Sequence, residues 1–180
     1  MRIFVAIEIT EKGILDNITQ LQKNIGIEAK AVPREQIHFT LQFIGDVDET
    51  SKEKIINVLN IIEFSKFQIT IKGIGAFPRA KLPRVIWVGV DKAGKESLSN
   101  IAALVNKKLL ELGFKNDKAF KPHLTIFRVK NKINDVTGEL TKFNSKIFGT
   151  QQVSQIKLKK STLTPNGPIY EDLTVVDAKG

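Results

Sequence analysis

Apolar positions along the chain either alternate with polar ones or run together in β-branched stretches at about 2–9, 36–44, 67–75, 84–91, 123–129, 152–160 and 169–177. Each pattern predicts a strand. Between them the period changes. Ile14, Ile18, Leu21 and Ile25 recur at three- and four-residue spacing, predicting a helix from Thr10 or Glu11 to about Asn24. Thr50 followed by Glu53 has the form of a capping box, and Ile55, Ile56, Leu59 and Ile62 continue on one face. A third helix over about 95–112 carries Leu98, Ile101, Leu104, Val105 and Leu109, and Gly113 ends it. The stretch Gly75–Pro83, with two prolines and no period, reads as a loop. Strand–helix–strand units thus occupy both halves, with no linker or low-complexity segment. The expectation is an α+β fold with antiparallel sheet, built as one bilobal domain over residues 1–180.

Composition narrows the chemistry. With 42% hydrophobic and 26% charged residues the chain can bury a real core. No apolar run reaches the ~18 residues that span a bilayer, and Glu8 and Glu11 interrupt the apolar N-terminus before a signal-peptide core forms. A cytoplasmic protein without membrane contact is expected. The absence of cysteine excludes disulfides, thiolate zinc sites and a cysteine nucleophile. Two histidines fall short of the roughly three protein ligands of a catalytic metal, and no His-x-x-x-His spacing makes up the deficit. Neither a metal nor another cofactor is expected. A net charge of +9 favours polyanions such as nucleic acid, although lysine-rich surfaces are also simply solvated, so charge alone names no partner.

The two histidines stand in matched surroundings, one in each half: Ile37-His38-Phe39-Thr40-Leu41 and Pro122-His123-Leu124-Thr125-Ile126. With 12 threonines in 180 residues, a Thr two places after both is not expected by chance. On a strand, His38 and Thr40 share one face while Phe39 and Leu41 share the other, and the second motif repeats this. Each motif therefore anchors in a core and presents an imidazole beside a hydroxyl. Opening a cyclic phosphodiester needs a base for the attacking water and an acid for the departing oxygen, on opposite sides of phosphorus. Two imidazoles suit both tasks near neutral pH. The hydroxyls of Thr40 and Thr125 can bind the non-bridging oxygens, where charge accumulates. The motifs are symmetric, so they do not say which histidine is the acid.

Paired His-x-Thr-hydrophobic motifs are the hallmark of the two-histidine phosphoesterase superfamily. Within it the chain resembles the bacterial and archaeal 2′-5′ RNA ligases, also called RNA 2′,3′-cyclic phosphodiesterases. The likeness extends through Arg2–Ile7, Ile37–Gly45, Pro83–Val90, Phe120–Arg128 and Ser161–Tyr170. It implies a bilobal, pseudo-symmetric fold in which two antiparallel sheets line a central groove with helices outside. It also implies hydrolysis of an RNA 2′,3′-cyclic phosphate to a 2′-phosphomonoester, with His38 as proton donor and His123 as proton acceptor. Attack by a 5′-hydroxyl instead of water would give 2′-5′ ligation. No nucleotide cofactor is implied. The implied partner is RNA with a cyclic phosphate end, tRNA halves among the candidates, and the protein itself is expected to be a monomer.

Further residues follow with less support. Arg128 is placed to hold phosphate, but strict alternation points it away from His123 unless a bulge or the strand end re-aims it. Arg79, Lys81 and Arg84 are candidates for an RNA path. Phe43, Phe127, Trp87 and Tyr170 are candidates for base stacking, with core packing the better expectation for Phe43 and Trp87. Two other functions stay open: a phosphodiesterase for small cyclic nucleotides or ADP-ribose cyclic phosphate, and a non-catalytic RNA-end binding module. Rates on mononucleotide against oligonucleotide substrates separate the first, and absence of product the second.

Overall fold

The apolar run that opens the chain becomes β1 (Arg2–Glu8), buried at five successive positions and paired along both edges. The computed structural model describes residues 1–180. After β1 follow α1 (Lys12–Asn24), β2 (Lys30–Ala31), a 3-10 turn (Arg34–Gln36), β3 (His38–Asp46) and α2 (Glu49–Asn60). Next come β4 (Phe67–Arg79), β5 (Leu82–Val90), α3 (Lys92–Leu110), β6 (Leu124–Arg128) and α4 (Thr137–Thr141). The chain ends with β7 (Ile147–Val153), β8 (Gln155–Thr164) and β9 (Gly167–Asp177). Two sheets form, β3-β1-β8-β9 and β2-β6-β5-β4-β7, with antiparallel pairing throughout. α1 packs on β6 and β7, α3 on β3 and β4, and α2 on α3 and β9. A core of 35 buried residues draws on both sheets. The α+β class with helices outside two antiparallel sheets is as expected. No helix is long and apolar enough to cross a membrane.

Helix ends follow local chemistry. α2 is capped by Asp48, whose carboxylate accepts from the Ser51 amide at 2.7 Å. The expected capping box on Thr50 is therefore displaced into the first turn. Asp48 is the stronger cap, combining an acceptor with negative charge at the positive end of the helix. Asp91 caps α3 at Gly94 in the same way, three residues ahead of the expected start. Gly113, at φ +88°, ends α3: its amide bonds to Leu110 O, and the Phe114 amide reaches back to Leu109 O.

Two expectations are corrected. The segment Gly75–Pro83 is not a loop but the closing part of the β4–β5 hairpin. Pro78 and Pro83 face each other at its tip, just past a register shift, where a missing N–H is tolerated. Gly75 lies opposite Trp87, and a Cβ there would come within 2.3 Å of the indole; this glycine makes room for a ring rather than a turn. The strand expected over 152–160 is in fact the end of β7 and most of β8. The chain leaves one sheet for the other at Ser154. Hydrophobic period cannot reveal that change, because both pieces are strand.

Candidate active site

The two motifs lie on β3 and at the start of β6, which approach each other across the groove between the sheets. His38 opens β3 directly opposite Glu8 of β1, and Thr40 lies opposite Ala6 on the same face. The next register pair is Val5 with Gln42, so Leu41 is an extra residue. That bulge buries both Leu41 and Gln42 and restarts the alternation. Phe43 consequently emerges beside Thr40, 57% exposed. In the second motif Thr125 pairs with Trp87 and Phe127 with Ile86, leaving Ile126 extra. Ile126 and Phe127 are both buried, and Arg128 emerges exposed. A bulge after the threonine thus returns the fifth residue past each histidine to the face that carries the histidine and threonine. It re-aims Arg128 toward His123 and sets Phe43 as its counterpart in the other motif.

Each imidazole is held by the backbone two residues before it. His123 Nδ1 lies 2.6 Å from Lys121 O. A carbonyl only accepts, so Nδ1 carries the hydrogen and Nε2 keeps a free lone pair. The Gln36 backbone, two residues before His38, likewise acts to raise the proton affinity of that ring. Aromatic rings complete both beds. His38 stacks on Phe4 at 5.0 Å and meets Tyr170 edge-on at 5.4 Å, while His123 meets Phe77 edge-on at 4.9 Å.

Burial pushes His38 down to about 4, with the charges of Lys159 and Arg128 acting in the same direction and the Gln36 hydrogen bond and Glu8 opposing. Burial lowers His123 as well, again helped by Arg128. Both rings are therefore neutral at neutral pH. Arg128 acts on both rings. Thr40, Phe43 and His123 line one cavity of about 590 Å³ together with Phe77, Phe120 and Lys121. His38 is not among its lining residues; it lies to one side against Phe4 and Tyr170.

The remaining candidates separate. Phe127, at 2% exposure, is core and unavailable for stacking, because the bulge turns it inward. Phe43, for which core packing was the better expectation, is in the cavity wall. Trp87 lies half-buried over Gly75 and against Phe77, and Tyr170 lies half-buried beside His38. Arg79, Lys81 and Arg84 are exposed on the β4–β5 hairpin and do not line the cavity. The basic residues that do are Lys118 and Lys121, from the segment between α3 and β6. Sequence reasoning passed over these two and Phe120, and their proximity to His123 was the available signal.

Comparison with known proteins places this arrangement. The family model described as AKAP7 2′5′ RNA ligase-like domain matches residues 2–177. The chain is 41% identical over 179 residues to an RNA 2′,3′-cyclic phosphodiesterase of Archaeoglobus fulgidus, covering 98% of this chain and 100% of that one. It is 40% identical over 178 residues to one of Methanocaldococcus jannaschii, covering 95% and 97%. A solved protein of Thermus thermophilus superposes with a TM-score of 0.81 at 26% identity, over 98% of this chain and 97% of that one. Escherichia coli LigT, solved with 3′-AMP, shares the fold at a TM-score of 0.81 and 19% identity, over 99% and 98%. With one His-x-Thr motif on each sheet and a family match from end to end, this chain belongs to the 2′-5′ RNA ligase-like family of two-histidine phosphoesterases.

Proposed function

We propose that this chain hydrolyses RNA 2′,3′-cyclic phosphate ends to 2′-phosphomonoesters, by acid–base catalysis on His38 and His123 without a metal. The observation that carries this reading is the matched placement of the two His-x-Thr motifs, one on each sheet, with Thr40 and His123 in one cavity, His38 to its side and Arg128 close enough to act on both imidazoles. Relatives at 35–41% identity over nearly the full length are named for the same hydrolysis. A water on the His123 side attacks phosphorus while Nε2 of His123 takes its proton. The bond from phosphorus to the ribose 3′ oxygen breaks, His38 protonates that oxygen, and the phosphate stays on the 2′ oxygen. Thr40, Thr125 and Arg128 hold the non-bridging oxygens as charge accumulates there. A 5′-hydroxyl in place of water gives 2′-5′ ligation by the same displacement. No three imidazole or carboxylate ligands converge in the groove. The strained ring ester and fixed geometry supply the activation a metal would otherwise provide. Residues 1–180 act as one bilobal unit and as a monomer, and tRNA halves are suitable natural substrates because their ends carry this phosphate.

The test is a defined oligonucleotide with a 2′,3′-cyclic end, incubated with excess chelator and its product mapped. The expected product carries phosphate on the 2′ oxygen at an undiminished rate. A 3′-phosphate, or loss of activity with the chelator, counts against the reading.

Phe43 gives a second expectation. Its exposed ring in the cavity wall is suited to stack on a base, a contact worth about 1–3 kcal/mol. Phe43→Ala should raise KM for the oligonucleotide about tenfold and leave kcat within about twofold, since the ring binds without touching the reacting atoms. Steady-state kinetics on the two proteins decide it. An unchanged KM would return Phe43 to the role of a bystander.

A further inference from the structure

Beside His38 lies a cluster that the reaction above leaves unused. Glu8 stands directly opposite His38 across the β1–β3 pair. Lys159 of β8 stands opposite Phe4, the ring on which His38 stacks, and Asp172 of β9 stands opposite Lys159. The four charges close a square. Lys157 Nζ lies 2.7 Å from Glu8 Oε2 and 2.8 Å from Asp172 Oδ2, and Lys159 Nζ binds the other oxygen of each carboxylate. Lys159 is only 5% exposed. Burial favours the neutral form of Glu8 and Asp172, yet hydrogen bonds to both lysines hold each carboxyl below its usual range.

The consequence concerns the neighbour. Glu8 is the carboxylate nearest in register to His38, where a partner for an imidazolium would be sought. Each of its oxygens already accepts from a lysine, so its charge is shared with cations rather than devoted to the ring. The other charged groups that face His38 are cationic, Lys159 from β8 and Arg128 from β6; Tyr170 of β9 is neutral, and Asp172 is tied like Glu8. Glu8 acts on His38 with a charge already shared between two lysines, so the acid form of His38 has no undivided counter-ion. We propose that the Glu8–Lys157–Lys159–Asp172 square is a charge lock: it withholds a counter-ion from His38 until an anionic phosphate enters the groove, so that substrate binding itself loads the proton that His38 later donates. Lys159 and Glu8 are positioning residues in this scheme, acting through His38 without touching substrate. The lock rests on His38 serving as the acid in the reaction proposed above. Its use is selectivity. An unoccupied site holds no acid beside a neutral base, and the pair becomes complementary only around a phosphate.

The experiment is an NMR titration of the two imidazoles in the intact protein, with and without saturating sulfate as an anion that does not itself titrate in this range. Low His38 proton affinity in the free protein agrees with the ring being pushed down to about 4. Sulfate should raise the His38 midpoint in the wild-type protein by about one unit or more, a tenfold gain in proton affinity. Lys159→Gln should raise it without sulfate, and Lys159→Arg should restore the low value. His123 is the internal control: neither Lys159 nor Glu8 is among the groups that act on it, so Lys159→Gln should leave its midpoint in place. A His38 midpoint indifferent to sulfate overturns the lock, and that arm needs no variant to fold. A midpoint equal in wild type and folded Lys159→Gln overturns it too. Cyclic-phosphate hydrolysis by a protein whose His38 titrates independently of both leaves the catalytic reading standing and removes the lock alone. The expected titrations in a protein that forms no product do the reverse.

Discussion

His38→Ala and His123→Ala should each lower kcat on a cyclic-phosphate-ended oligonucleotide by about 10²–10⁴-fold, the range for loss of one positioned acid or base. The protein has no other histidine and no cysteine to substitute. The nearest carboxylate, Glu8, is held by two lysines. The double variant should be little worse than the worse single, because acid and base act in one displacement and their effects do not add. KM should change little, since Thr40, Thr125 and Arg128 remain to hold phosphate. Single-turnover rates and thermal melts on the same samples settle the matter. A folded single variant that turns over at the wild-type rate would remove that histidine from the chemistry. The roles can be separated as well. A phosphodiester with a nitrophenolate leaving group departs without a proton, so His38→Ala should be largely relieved on that substrate and His123→Ala should not.

That a strand pattern and two matched histidine motifs were enough to point to the family has a physical reason. A His-x-Thr pair flanked by apolar residues carries both its anchoring and its presentation within four residues, so local alternation determines the face on which imidazole and hydroxyl appear. Sheet content and the three long helices were legible for the same reason, since each is a statement about period. What was not legible depends on partners distant in sequence. The bulges at Leu41 and Ile126 exist only relative to β1 and β5. Their one local trace is a pair of successive buried side chains, Leu41-Gln42 and Ile126-Phe127, which looks like strand in either register. That is why Phe43 was expected in the core and Phe127 among the stacking candidates, when the reverse holds. Arg128 fared better because its wrong alternation was noticed, and the bulge that alternation required is present. The charge square was half visible: Lys157 and Lys159 alternate with Ile156 and Leu158, which puts both lysines on one face. Their carboxylate partners come from β1 and β9, and no window around β8 contains them.

Gln151→Leu should destabilise the protein by about 3 kcal/mol, a large effect for a single polar side chain outside the groove. Gln151 lies on β7 of the five-stranded sheet and is 3% exposed. Its Oε1 accepts from the amides of Thr10 at 2.8 Å and Glu11 at 3.2 Å, and its Nε2 donates to Glu8 O at 2.8 Å. One side chain thus satisfies the turn from β1 into α1, although β1 belongs to the other sheet. α1 has no side-chain cap of its own. Leucine matches the shape but strands two donors and one acceptor, at about 1–3 kcal/mol for each group that stays buried. Exposed Thr10 allows water to recover part of this. At about 2–4 °C per kcal/mol for a chain of this size, the melting temperature should fall by about 6–12 °C. Gln151→Glu separates the contributions. It keeps an acceptor for the two amides and loses the donor to Glu8 O, so it should fall between wild type and Gln151→Leu at neutral pH. A melt for Gln151→Leu within a degree of wild type would mean that solvent already serves this turn and that the clamp between the sheets lies elsewhere.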